Sequence, residues 1–442
     1  MQNNQEKKGI NISAASFVTA IVILLVLMAM TYGLTFLIPG GKIAFWKWAL
    51  SPVLVLGAEG NGSLIAVLVF LLVIGGIFNS LDKSGLMKYI LDRITDRFGA
   101  KRYSLMYLIV LFFMAMGSFI GSFEECVPLV PIVVALALRL GWDPLVGLGM
   151  SILAAGCGFA AGICNPFTVG VAQELAGLPM FSGMGLRTVG FALIYLLLIL
   201  FLRTYAKKVD RMGEENVRLE GFSPDGKMDR SLICFASIVG VGIALVLSSA
   251  VITVLQDLTM VIVAVMFLAA GIVSVLVSGM SAGQLRKTFL SGTVSVLPAV
   301  LMILMANSIK YTLVEAGILD PILQAVVQTA SGLPRWTVIL FIYGVVLFLN
   351  FFIPSGSAKA FLLIPLIVPV AQTFGINPQL CILAFAFGDG FSNVFYPTNP
   401  VLLISLGLAD VSYGKWFCFS GKFQAINLLL TSGILLAAMA VL

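Results

Sequence analysis

Long apolar runs separated by short polar stretches dominate this chain, and the uninterrupted runs are of membrane-crossing length. Residues 14–38, 62–81, 184–206, 231–255, 258–279, 293–311 and 420–441 each approach the ~20 apolar residues that a helix needs to span a bilayer. Four further runs are equally apolar but interrupted. Residues 103–140 break at 117–122 and read as a helical hairpin that enters and leaves on one side. Residues 144–177 open at a Gly-Trp-Asp-Pro turn, where Asp143 caps a helix begun by Pro144, and break around 156–165. Residues 336–374 break at 354–357, and residues 378–410 break over 388–399. Non-helical backbone at membrane depth survives only where protein or a water-filled cavity satisfies its polar groups. Two stretches are amphipathic instead. Leu86, Ile90, Ile94 and Phe98 line one face of the first, and Ile318, Ile322 and Val326 line one face of the second, over 313–330. Trp46, Lys47 and Trp48 suit a membrane–water interface. The stretch holding Arg286 and Lys287 reads as a short loop.

The interrupted pieces occur twice. Displacing residues 117–173 by 234 positions lays them on 351–407 without a gap: Pro131 on Pro365, Gly141 on Gly375, Pro144 on Pro378, Gly156 on Gly390, Asn165 on Asn399 and Pro166 on Pro400. Breakers recur while the apolar filler drifts. Paired interrupted segments in the two halves of a membrane protein point to a transporter's binding site. The expected organisation is a cytoplasmic tail (1–13), a first half (14–206), a cytoplasmic linker (207–230) and a second half (231–442). The fold class is an all-α polytopic membrane protein.

Composition agrees. Of 442 residues, 60% are hydrophobic and 10% charged, with mean hydropathy +1.09, against about 25% charged in soluble domains. The net charge of +6 reads as topology, not as nucleic-acid binding. With the N-terminus inside, 20 Lys and Arg fall on the cytoplasmic side and five outside, Arg187 among the latter. The first hairpin then enters from the cytoplasm and the second from outside, so the halves are inverted, as in alternating-access carriers. The absence of histidine removes an imidazole relay or metal site. The six cysteines carry no CxxC pair and read as buried thiols. No HExxH, GxSxG or phosphate-binding loop is present, so the chain is not expected to be an enzyme or to hold ATP. No cofactor is expected beyond Na⁺ as a candidate coupling ion.

Four ionisable groups fall at membrane depth: Glu124, Glu125, Lys359 and Asp389. Such groups are by default functional candidates. Glu125 and Lys359 are equivalent under the 234-residue shift, so they either pair with each other or bind a zwitterionic or cationic solute, the carboxylates its cation and Lys359 its carboxylate. The breaks add neutral ligands. Asn165, Thr168, Asn393, Thr398 and Asn399 are candidate substrate ligands, with Ser355 and Ser357 at the second hairpin tip. Gly156, Gly158, Asn165, Asp389, Gly390, Ser392 and Asn393 are candidate cation ligands, on the expectation that unwound carbonyls favour Na⁺. Close helix packing is the alternative role for the glycines.

The segments GSFEECVPLVPIVVALALRLGWDPLVG and AAGCGFAAGICNPFTVGVAQELAG, with the two hairpins and broken helices, resemble the YfcC-like branch of the anaerobic C4-dicarboxylate carrier C family, within the ion transporter superfamily. The resemblance covers nearly the whole chain. It implies a homodimer in the bacterial inner membrane, a scaffold and a mobile transport domain moving as an elevator, and Na⁺ or H⁺ coupling. The superfamily's Ser-Asn-Thr motif is missing from the tips GSFEE and SGSAKA, its nearest match being Ser392-Asn393. Members of the branch are described as basic amino acid antiporters, in line with the Glu pair. The expected function is secondary-active transport of amino acids, basic ones such as arginine or ornithine first. A C4-dicarboxylate carrier of the same fold is the alternative, and an ion channel the third reading.

Overall fold

The computed structural model describes residues 14–38, 41–58, 62–121, 123–179, 181–210, 224–248, 259–330 and 332–441. The expected N-terminal tail and most of the linker lie outside them. Every regular element among the described residues is helical. Seven helices there are long and apolar enough to cross a membrane, or eight if one bent pair is a single span.

The first helix is α1 (Ala14–Leu37). Next, α2 (Gly62–Lys83) turns by 70° into α3 (Leu86–Phe98), the amphipathic helix. Leu86 and Ile90 are buried, Ile94 is half-buried and Phe98 exposed. The first helix pair is α4 (Arg102–Ala115), extended by a π-turn, and α5 (Val130–Arg139), with the chain reversing at Gly121. The first broken helix is α6 (Pro144–Ala161), followed by a break and α7 (Val171–Leu175). A long span, α8 (Met184–Val209), completes this half.

The second half has α9 (Gly226–Ser248) and α10 (Thr259–Val277). The expected loop around Arg286 and Lys287 is instead helix α11 (Ala282–Ser295), which meets α12 (Leu297–Glu315) across Val296. Its start is a Ser-x-x-Gln capping box, in which Ser281 and Gln284 satisfy each other's backbone amides. Gly283 and the two charges gave the segment a loop-like composition. Next come α13 (Leu319–Ala330), the second pair α14 (Arg335–Asn350) and α15 (Gly356–Thr373), the second broken helix α16 (Pro378–Asn393) with α17 (Pro400–Leu408), and α18 (Tyr413–Val441).

Burial separates interior from perimeter. In α6, 89% of residues are buried; over an 18-residue stretch within Gly226–Leu245 of α9, 17% are. That contrast makes the broken helices the centre of the protein and places α9 at its exposed rim. The rim bundle, α2 with α9, α10 and α11, has its own apolar cluster, including the Phe78–Phe267 contact at 5.9 Å. Polar bonds supplement it, among them Asn79 Nδ2 to the Thr288 carbonyl at 2.7 Å. The larger core surrounds α6 and α16, which cross directly. Gly390 of α16 lies against Ala160 of α6 so closely that a Cβ would overlap Ala160 backbone. Of the cysteines, Cys126, Cys157 and Cys381 are buried as expected, but Cys164 and Cys234 are half-buried and Cys418 is exposed.

Candidate functional site

The repeated Asn-Pro pair has a local cause in both halves. Helix α6 ends at Ala161, with Gly162 at φ 48° turning the chain out of the helix. Asn165 then restarts it: its Oδ1 accepts from the Thr168 amide at 3.3 Å, and Pro166 follows. Asn399 does the same for α17, accepting from the Val401 and Leu402 amides at 3.0 and 3.4 Å, with Pro400 in the first turn. An N-cap Asn followed by Pro is the expected way to begin a helix that has just been interrupted.

Each break leaves carbonyls that need donors, and neighbouring spans supply them. In the first half, Arg187 of α8 donates to the Ile163 carbonyl from Nε (3.3 Å) and Nη2 (3.2 Å). This arginine, expected in an outside loop, is 2% exposed. Its charge stands at the C-terminal end of α6, where a cation is favoured. In the second half α18 supplies three donors. Gln424 Nε2 reaches the Phe391 carbonyl at 2.9 Å, Trp416 Nε1 the Val394 carbonyl at 2.8 Å, and Tyr413 OH the Phe395 carbonyl at 2.9 Å. These four carbonyls are therefore bonded within the protein.

At the centre lies a charge pair. Lys359 of α15 and Asp389 of α16 are both fully buried, with Nζ 2.7 Å from Oδ1. The ammonium also donates to the Asn350 Oδ1 and, at 3.0 Å, to the Ile353 carbonyl. Asn350 ends α14, and its Nδ2 faces the Asp389 carbonyl (3.1 Å), Ser392 Oγ (2.6 Å) and Asn393 Oδ1 (2.9 Å). Asn399 Nδ2 joins at Asn393 Oδ1, 3.0 Å away. One amide side chain thus ties the second helix pair to the second broken helix.

The first half reaches the same point. The methyl of Thr168 and Oδ2 of Asp389 both press on Gly356, at the start of α15, so closely that no Cβ would fit. Three oxygens here are buried without a well-formed hydrogen bond: Asp389 Oδ2, Thr168 Oγ1 and Thr398 Oγ1. The Asn393 side chain lies beside the Asp389 carboxylate.

Of the residues singled out in the sequence, Asn165, Thr168, Lys359, Asp389, Ser392, Asn393, Thr398 and Asn399 are all buried in this region. Ser355 is exposed at the tip and Ser357 half-buried. Gly156, Gly158 and Gly390 sit in helical backbone, not in an unwound stretch, because the second break falls over 394–399 and the first over 162–165. They serve close packing: Gly156 against Val394, Gly158 against the Met114 carbonyl. Glu124 and Glu125 begin a 3₁₀ turn, Glu124–Leu129, and their side chains lie outside the described residues. Lys359 pairs with Asp389. Asn350 was not singled out, although an amide closing the apolar run that begins at Val338, within RWTVILFIYGVVLFLN, is a usable signal.

A family model for the C4-dicarboxylate anaerobic carrier, DcuC, matches residues 48–440. The chain belongs to that family. Among curated relatives, it is 28% identical over 403 residues to a protein of Escherichia coli K12 named "Putative basic amino acid antiporter YfcC", covering 85% of this chain and 78% of that one. A Haemophilus influenzae Rd protein is 26% identical over 380 residues, covering 82% of this chain and 73% of that one. Among solved structures, the Alcanivorax borkumensis YdaH transporter aligns over 95% of this chain and 97% of its own, at 18% identity and TM-score 0.47. The Neisseria gonorrhoeae MtrF efflux pump aligns over 96% and 95%, at 16% identity and TM-score 0.44. Family membership and the apolar helices make this DcuC-family chain a multi-pass membrane transporter.

Proposed function

We propose that this transporter is a secondary-active carrier of amino acids, basic ones such as arginine or ornithine, driven by Na⁺ or H⁺ or by exchange. The observation that carries the reading is the convergence of both broken helices and the second helix pair on one buried charged centre, Lys359–Asp389. Buried charges at membrane depth mark substrate or ion pathways, and a centre built from paired interrupted helices suits alternating access. In this reading the halves are inverted repeats, both helix pairs are re-entrant, and the N-terminus is cytoplasmic in the inner membrane. The α6–α7 and α14–α17 body moves as an elevator against the α2, α9–α11 rim of a homodimer. Glu124 and Glu125 attract the cationic solute toward the centre, and a half-helix N-terminus receives its carboxylate. The name of the Escherichia coli relative supports the choice of solute.

The second reading, a C4-dicarboxylate carrier, is favoured by the family description. Uptake by purified protein in liposomes separates the two, with arginine, its neutral isostere citrulline, and succinate offered under separate Na⁺ and H⁺ gradients. Saturable arginine counterflow that discriminates against citrulline is expected. Accumulation of succinate without arginine would establish the dicarboxylate reading, and flux without counterflow would establish a channel.

A further inference from the structure

The pair at the centre does more than neutralise two charges. We infer that Lys359 is a built-in stand-in for the cationic group of the cargo: its ammonium occupies Asp389 when the site is empty, and a cationic solute displaces it. This rests on the carrier reading above and names the acceptor of the cargo's cation as Asp389.

Three observations lead there. First, Lys359 is saturated. An ammonium has three protons to give, and Asp389 Oδ1, Asn350 Oδ1 and the Ile353 carbonyl take one each. It has none left for a solute carboxylate while the pair stands. Second, Asp389 is only half used. Its Oδ2 lacks a well-formed donor although fully buried, and Thr168 Oγ1, on the other half of the protein, is also buried without one. Both side chains face Gly356. An ammonium or guanidinium that reaches Asp389 finds a second carboxylate oxygen that Lys359 does not use.

Third, the pair divides along a seam. Lys359, Asn350 and Ile353 all belong to the second helix pair and its tip, whereas Asp389, Ser392 and Asn393 belong to α16. With both charges at 0% exposure, access requires that tip to lift. Lifting it withdraws Lys359 and Asn350 from α16 together. The motion that opens the site is therefore the motion that removes the internal cation, and cargo competes with Lys359 for Asp389.

A purely structural ion pair makes the opposite prediction. Breaking a buried pair by removing one partner is strongly destabilising, whereas replacing both with neutral groups is often tolerated. If the pair only holds the fold, Lys359→Met weakens arginine binding and Lys359→Met/Asp389→Asn restores it. If Lys359 is a displaceable occupant, Lys359→Met binds arginine more tightly, by about tenfold for the loss of ~1.4 kcal/mol of competition. Asp389→Asn then abolishes binding, and the double variant stays inactive although folded.

The experiment is arginine binding by calorimetry to purified wild type and the three variants, with size-exclusion profiles to confirm folding and citrulline as control. A double variant that binds arginine as wild type does overturns the inference, even if Lys359→Met fails to fold. Arginine counterflow by wild type together with undiminished binding by Asp389→Asn overturns the inference and leaves the carrier reading standing. A wild type that moves succinate and no amino acid overturns the carrier reading for amino acids and this inference with it.

Discussion

Replacing Asn350 with leucine, a side chain of similar size, tests how the centre is held. Asn350 touches four groups, and adding four bonds would overstate its worth. Ser392 Oγ keeps its own bond to the Gly388 carbonyl at 2.5 Å. Asn393 Oδ1 keeps Asn399 at 3.0 Å. The Asp389 carbonyl lies in the body of α16, where the helix itself supplies a donor. What cannot be replaced is the acceptor for the Lys359 ammonium, a charged donor at 0% exposure with no water to turn to. A hydrogen bond to a charged group contributes about 1.5–3 kcal/mol, so a loss of roughly 2–3 kcal/mol is expected. Equilibrium unfolding in a detergent titration measures it. Ser405→Ala serves as control, because that buried hydroxyl only bonds the Val401 carbonyl of its own helix at 2.8 Å and its removal is expected to be close to neutral. Equal stability of Asn350→Leu and the control would refute the account of Asn350 as the acceptor on which Lys359 depends.

Three further outcomes are expected. Asn165→Ala and Asn399→Ala each remove a helix cap at a break and are expected to cost about 1 kcal/mol or more in the same titration; an unshifted unfolding midpoint in either would count against the capping role. Trp416→Phe keeps the ring but strands the Val394 carbonyl, for about 1–3 kcal/mol, and an unshifted unfolding midpoint would count against the bracing role of α18. Gly390→Val forces a branched side chain into Ala160 backbone, so monodisperse protein on size exclusion should be lost, whereas Gly240→Val, where nothing lies near, should behave as wild type.

The helices and their interruptions were largely legible in the sequence because breakers act locally. Pro166 and Pro400 cannot continue a helix, and an Asn before each can restart one, so the 234-residue displacement located both breaks. It began both too early, because Gly156 and Gly158 in the first half and Gly388 and Gly390 in the second read as unwinding residues when close packing was their use. The charges were legible as a set but not as a pair. Equivalence under the repeat joined Lys359 to Glu125, whereas the partner lies 30 residues onward on α16. A repeat says which positions correspond; it does not say which side chains meet across the interior. Asn350 escaped for a related reason: its importance comes from what it touches, and all its partners are on other turns of chain. Arg187 escaped because its charge was counted toward topology, although the Ile163 carbonyl it serves is already implied by the break.

The bonds from α18 to the second break have a consequence for how the chain is made. The carbonyls of Phe395, Val394 and Phe391 leave the ribosome 18, 22 and 33 residues before the Tyr413, Trp416 and Gln424 that satisfy them. Throughout that interval the interrupted helix has no donor of its own to offer, and hydrocarbon has none either. The centre of this half therefore matures late, after a downstream segment arrives, and an insertion machine must shelter it in the meantime.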